Sequence, residues 1–453
     1  MYLTAAMSSP RSHRRSIRLA LSALLLTSVT ASLDVHEGQN DEEEIYYLPR
    51  SAAIHDGFVN KPLSTCPVKP GGVQMSYTFP WTHTPSCVNI LQPEGAPKTF
   101  CAYTNVNYNN GRGISFVTSP EVAASVSMET FGMAIGGMEG QIGEEMGMWE
   151  VKEAGSKGKG LFAKKNIGAI FPGESLVMQT PVLIVDKSAL ETESREEVER
   201  VLLTAVAQLP SKSRKMAVEL SGNEDGSFED IVKTNGIGFT WPWVDEMPKL
   251  LSVTPEIARI NHACRPNTLW RFNDYTLTFE VFALKDIKPG EEITRSYGFE
   301  KRSHGRRVRS LEANFGFTCA CPLCTASDEE IMASNDRLSE IKALKSVLPS
   351  DPEEADRTLE ILPSLVEQLE KEDLIAELPS YEETLAYTWS MFGEEEKAKY
   401  WAGRAQKHWA IVAGKESWEQ RRCGDMEQDV KGHKTWRTWK GLQEEDEESD
   451  DEE

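Results

Sequence analysis

Positive charge is scarce in this chain. Its 453 residues hold 49 Lys and Arg against 71 Asp and Glu, a formal net charge of −22. A surface of that sign repels phosphates and attracts cations, so direct nucleic-acid binding is not expected and a basic protein partner is. After the first 33 residues no apolar run is long enough to span a bilayer, so no membrane span is expected beyond the leader. Dinucleotide-binding GxGxxG, Walker and HExxH patterns are absent from any credible place, which removes the oxidoreductase, NTPase and zinc-protease readings. Cysteine is sparse too. There are eight, with none between Cys101 and Cys264.

The ends of the chain are the most biased parts. Residues 1–33 read RSHRRSIR and then LALSALLLTSV before small residues. A basic stretch, an apolar core and a plausible cut make a signal peptide, and its Arg- and Ser-rich, acid-free character also suits a mitochondrial presequence. The closing run EEDEESDDEE places an acidic disordered tail over 425–453. Residues 34–148 open on the acidic DEEEIYYLPR and continue rich in Pro, Gly, Asn and aromatics, as loops with short strands and no catalytic motif. Cys66, Cys87 and Cys101 lie in this region. A disulfide among them and free buried thiols both fit. At 40% hydrophobic and 26% charged residues the composition is that of an ordinary globular protein, and the length suits two or three domains.

The informative stretch is RINHACRPN, residues 259–267, too polar for a helix face and too ordered in residue type for a linker. Downstream, CACPLC supplies Cys319, Cys321 and Cys324, three sulfur ligands at C-x-C and C-x-x-C spacing. Cys264 makes the fourth ligand of a closed tetrahedral zinc site. From residue 149 short β-like runs alternate with glycine turns, and Gly158 and Gly160 flank Lys159 where backbone can approach a ligand closely. Residues 187–222 read as helix on the spacing of Val198, Leu202, Ala205 and Leu209. FNDY forms a hairpin, KPGEE a tight turn, and the return strand delivers Tyr297. Residues 327–424 are helical, with Leu385 and Trp389 on one amphipathic helix and Trp401, Ala405 and Trp409 on the next.

Four segments in this order, GKGLFA (158–163), NHACRPN (261–267), GEEITRSYG (290–298) and FGFTCACPLC (315–324), resemble the SET-domain protein lysine methyltransferases, in the branch related to the SET and MYND proteins. They cover roughly two fifths of the chain. The absence of cysteine between Cys101 and Cys264 means that the MYND finger is missing. The resemblance implies an α+β fold: a SET domain of short β-sheets over 149–300 with the helical insert 187–222, a post-SET zinc segment at 301–326, and a tetratricopeptide-like helical region. It implies S-adenosylmethionine as methyl donor, held by Lys157, Gly158, Lys159, Gly160, Asn261, His262, Tyr297 and Phe317. Tyr297 matches the catalytic tyrosine, and Asn235 and Phe315 match the lysine channel. The implied reaction is methyl transfer to lysine on a protein substrate, histone or not, by a monomer. A non-catalytic module that binds basic partners is the alternative. The family's habit is cytoplasm or nucleus, whereas the leader points to the secretory route.

Overall fold

The computed structural model describes residues 80–93, 95–126, 147–168, 175–274, 276–415 and 417–439. The leader, Cys66 and the closing acidic run lie outside these. The described chain forms two units that divide between residues 331 and 332.

The first unit is built on three small sheets. Its strands are β1 (Ser86–Ile90), β2 (Lys98–Asn105), β3 (Ile114–Thr118), β4 (Trp149–Glu153), β5 (Lys159–Ala163), β6 (Ser175–Gln179) and β7 (Leu183–Asp186). They continue with β8 (Ile237–Thr240), β9 (Lys249–Val253), β10 (Asn261–His262), β11 (Thr268–Asn273), β12 (Thr278–Ala283) and β13 (Glu292–Arg295). The largest sheet runs β1-β2-β3-β7-β9-β8, a second runs β10-β13-β5-β4, and a third runs β11-β12-β6.

Both faces of the six-stranded sheet are covered, which explains why β3 is buried along its whole length. Tyr103, Phe116, Ile184 and Phe239 point to one core. Their neighbours Ala102, Val117, Leu183 and Val185 point to the other, against Val198, Val201, Leu202 and Ala205 of the helix Arg195–Gln208. Successive strand residues face opposite sides, so these β-branched and aromatic runs fit a doubly covered sheet.

Two sequence-based boundaries need correction. The described part of 34–148 does not stand apart, because β1, β2 and β3 are half of the six-stranded sheet and β3 pairs in parallel with β7. Their partners are remote in sequence, so local composition shows only short strands. The helical insert is three helices, Lys187–Leu190, Arg195–Gln208 and Ser211–Val218, broken after Leu190 and at Pro210. Cys87 and Cys101 face each other across β1 and β2 and are joined by a disulfide.

The second unit is helical. The helix Asp328–Val347 crosses the dividing point and is followed by Ala355–Lys371, Leu378–Met391, Glu395–Val412 and Trp418–Gln428. Pro379 in its first turn starts Leu378–Met391, and the chain reverses at Gly393, where φ is +73°. Leu385, Ala405 and Trp409 are buried, with Trp389 and Trp401 partly so. The assignment of 425–453 to a tail is corrected as far as residue 439. Met426 and Val430 are buried, and the Trp439 N–H donates to the Met391 carbonyl. Apolar side chains inside an acidic segment find a packing surface there, which charge alone does not reveal.

Glu383, buried in the middle of its helix, accepts hydrogen bonds from Tyr387 Oη, Trp409 Nε1 at 2.9 Å and Arg422 Nη2 at 2.8 Å. Replacing Glu383 with Leu leaves Arg422 unpaired, and such losses cost about 3–5 kcal/mol; urea denaturation of the variant measures it. The disulfide closes a loop of 14 residues. Its reduction is expected to cost about 3 kcal/mol. In non-reducing denaturant Cys87 and Cys101 should resist alkylation while Cys423 reacts, as peptide mass mapping reads.

Candidate active site and thiol cluster

The site begins with a strand of only two residues. Asn261 and His262 pair in parallel with Thr294 and Arg295, which brings together two segments some thirty residues apart in sequence. Beyond His262 the chain turns away, and Asn267 continues the pairing with its side chain. Its Oδ1 accepts from Thr294 N at 2.8 Å, and its Nδ2 donates to the Glu292 carbonyl at 2.9 Å. A carboxamide thus does the work of a backbone neighbour, satisfying groups that would otherwise be buried without partners.

Asn261 donates through Nδ2 to Glu292 Oε1 at 2.8 Å and to the Lys159 carbonyl at 3.3 Å. Its Oδ1 accepts nothing among the described residues. Lys157 Nζ reaches the other Glu292 oxygen at 2.5 Å. Gly160 lies so close to this group that a Cβ would sit 2.8 Å from both Asn261 Nδ2 and Glu292 Oε1, while Gly158, at φ +71°, faces open space. The structure therefore gathers Lys157, Gly158, Lys159, Gly160 and Asn261 around Glu292 in the second sheet.

His262 is buried, and its Nδ1 accepts the Tyr297 backbone N–H at 3.0 Å. That fixes the neutral tautomer with the proton on Nε2, which lies 3.4 Å from Cys264 Sγ. Burial, with the charge of Arg295 adding to it, pushes His262 down to about 4. The imidazole is neutral at physiological pH.

Tyr297 stands two residues beyond the end of β13, in a turn and not in the return strand itself. Gly298 and Phe299 follow with φ of +103° and +71°, so the chain bends sharply there. The phenol donates to the Ile260 carbonyl at 3.2 Å and so points at the corner that Asn261 and His262 form. His262, Phe315 and Phe317 surround the ring at centroid distances of 5.3, 5.0 and 6.2 Å. The buried Arg295 guanidinium lies over it at 4.3 Å. Burial raises the Tyr297 phenol above its ordinary range, and Arg295 works against that rise.

Phe315 ends the helix His304–Phe315, and Gly316 in the left-handed conformation terminates it so that Phe317 and the cysteine turn follow at once. Cys264, Cys319, Cys321 and Cys324 then converge, their sulfurs all within 4.8 Å of one another. Cys264 Sγ is 3.9 Å from that of Cys319 and 3.5 Å from that of Cys324. A regular tetrahedron with zinc–sulfur bonds near 2.3 Å has edges of about 3.8 Å. The donor set and its spacing fit a metal that takes all four as thiolates.

A cavity of about 380 Å³ has Tyr297 in its wall. Arg295, Ser296, Tyr297, Gly298 and Phe315 form one part of its wall, and Gly236, Ile237 and Gly238 at the start of β8 another. Lys157 to Gly160, Asn261 and Phe317 are not in its wall. Tyr297 thus lines the cavity and, through the Ile260 carbonyl, neighbours the group around Glu292 that includes Asn261. Asn235 belongs to neither, contrary to expectation. It closes the helix Phe228–Asn235, donating to the carbonyls of Ser221 and Ile231, both at 2.8 Å, as a terminal asparagine commonly does. Reasoning from sequence also missed Glu292 and Arg295. Both stand in GEEITRSYG, but nothing local distinguishes them from surface charges.

Residues 158–298 match the family described as SET domain. Among curated proteins, the chain is 35% identical over 104 residues to the human protein-lysine N-trimethyltransferase SMYD5, covering 22% of this chain and 25% of that protein. It is 39% identical over 75 residues to the histone-lysine N-methyltransferase SET5 of Meyerozyma guilliermondii, covering 16% of each. The human N-lysine methyltransferase SMYD2 is 37% identical over 79 residues, 17% of this chain and 18% of that one. The chain thus spans a quarter or less of the length of these relatives. The family match shows that the chain carries a SET domain, and the relatives that it resembles are the SMYD and SET5 lysine methyltransferases.

Proposed function

We propose that this protein is an S-adenosylmethionine-dependent protein-lysine N-methyltransferase with a structural zinc ion. The observation that carries the reading is that Tyr297 lines the cavity while its phenol bonds the carbonyl of Ile260, next to Asn261 and His262. When bound, S-adenosylmethionine supplies a methyl group already activated on sulfur. The free Oδ1 of Asn261, the open backbone at Gly158 and the ring of Phe317 are the groups that would hold it.

The lysine side chain approaches through the cavity. Its stem fits between Phe315 and Tyr297, which exclude water and align the amine. Because the Tyr297 phenol donates its proton to Ile260, its oxygen is left to accept an N–H from the amine. Only the neutral amine has a lone pair with which to attack. The buried positive charge of Arg295 beside the phenol opposes a second cation there and so favours that neutral form. Phe315 brings no hydroxyl to the channel, which leaves the amine free to turn between successive additions.

Cys264, Cys319, Cys321 and Cys324 would hold the zinc, tying the segment after Phe317 to the corner that bears His262. Its role is structural, since a four-thiolate site leaves no open position.

Incubation of the full chain with labelled S-adenosylmethionine and a pool of lysine-containing peptides is expected to give lysine methylation. Tyr297→Phe should lower kcat by about a hundredfold or more, with cofactor affinity retained in calorimetry. Cofactor binding without transfer to any peptide would leave a binding module in place of the enzyme. Metal analysis should find one zinc per chain. Cys321→Ser should lose it and unfold at a lower temperature, because the energy of metal binding is folding energy.

A further inference from the structure

The far wall of the cavity holds a loop that is unusually well fastened. Asp230, buried in the helix Phe228–Asn235, accepts backbone N–H bonds from Asn223 at 2.9 Å, Glu224 at 2.8 Å and Gly226 at 3.1 Å, and a fourth bond from Thr234 Oγ1 at 3.2 Å. Burial alone would raise its carboxyl, yet these donors hold it below the ordinary range. At the tip, Asn223 packs against Gly316 so closely that a Cβ there would overlap its side chain. Gly316 is the residue that ends the Phe315 helix, so the loop is held against the same wall that carries the channel aromatics.

This fastening presents Glu224 at the mouth of the cavity. The other charges in the wall are engaged. Lys187 lies 3.8 Å from Glu191, Lys233 pairs with Glu229, Asp230 is filled by amides, and Arg295 is buried over Tyr297. Glu224 is exposed, and its carboxylate has no hydrogen bond or ion pair among the described residues. A charge held by a rigid loop at the edge of an opening can select what enters at little cost in order.

We propose that Glu224 is a specificity residue that takes an arginine or lysine flanking the target lysine of the substrate. The proposal rests on the reading of the cavity as the substrate side of Tyr297. The chain's net charge of −22 draws basic segments from a distance but cannot choose among them. Glu224 adds a contact at one position along the bound peptide. An exposed pair of this kind changes affinity a few-fold, loses effect in high salt, and acts on binding more than on chemistry.

The test uses the full chain with S-adenosylmethionine and synthetic peptides having one central lysine in a neutral background. A single Arg or Glu is placed at each flanking position in turn. The wild type should prefer Arg over Glu at one or two adjacent positions by about threefold to fivefold in kcat/KM, through KM, and high salt should erase the difference. Glu224→Gln should abolish that preference and Glu224→Arg should reverse it. An Arg preference that survives both substitutions overturns the assignment, as does a wild type that transfers methyl without preference at any position; in either case the methyltransferase reading stands. A wild type that neither binds nor methylates any peptide removes that reading, and the assignment with it.

Discussion

A parallel pairing of two residues with two, Asn261–His262 against Thr294–Arg295, holds this site together. So short a ladder contributes little by itself, and side chains make up the difference. Asn267 continues it, Glu292 receives Asn261, and His262 receives the backbone of Tyr297. Each of these is a buried or half-buried polar group with a defined partner, and in a low-dielectric setting such a network is rigid because every lost bond is costly. The orientation of Tyr297 follows from it.

The thiol cluster and the aromatic residues extend that corner to the end of the domain. His262 faces Cys264 through Nε2 while accepting the backbone N–H of Tyr297 through Nδ1, so one imidazole links the thiol cluster to the main chain at Tyr297. The cysteine turn follows Phe317 directly, and the helix that ends at Phe315 sets the height of both aromatics. The four thiols, the two phenylalanines and the tyrosine form one packed cluster. A metal there would act on the chemistry only through position, by keeping these aromatics against Tyr297.

Two surfaces of different character lie near Tyr297. The group around Glu292 is built from glycine backbone and polar side chains, with open space at Gly158 and close approach at Gly160. The cavity is built from aromatics, a buried cation and a loop pinned by Asp230, suited to a side chain that enters from outside. Charge is placed unevenly too. Arg295 is buried over the phenol ring, and Glu224 is an exposed acid in the cavity wall.

Much of this was legible in the residues themselves. Three cysteines at tight spacing, an ordered polar run and a pair of glycines name their chemistry through residue type, and type needs no coordinates. The amphipathic helices around Trp389 and Trp409 were legible for the same reason, since periodicity is a local property. Partners distant along the chain were not. That β3 pairs with β7, that Glu292 sits under Asn261, that Asn235 serves only to close its helix, and that residues 425–439 pack rather than trail are all matters of which surfaces meet. The sequence alone determined which groups are present and in what order. Tertiary structure decided which of them share a site, because hydrogen bonding and burial act between residues brought together in space, whatever their separation along the chain.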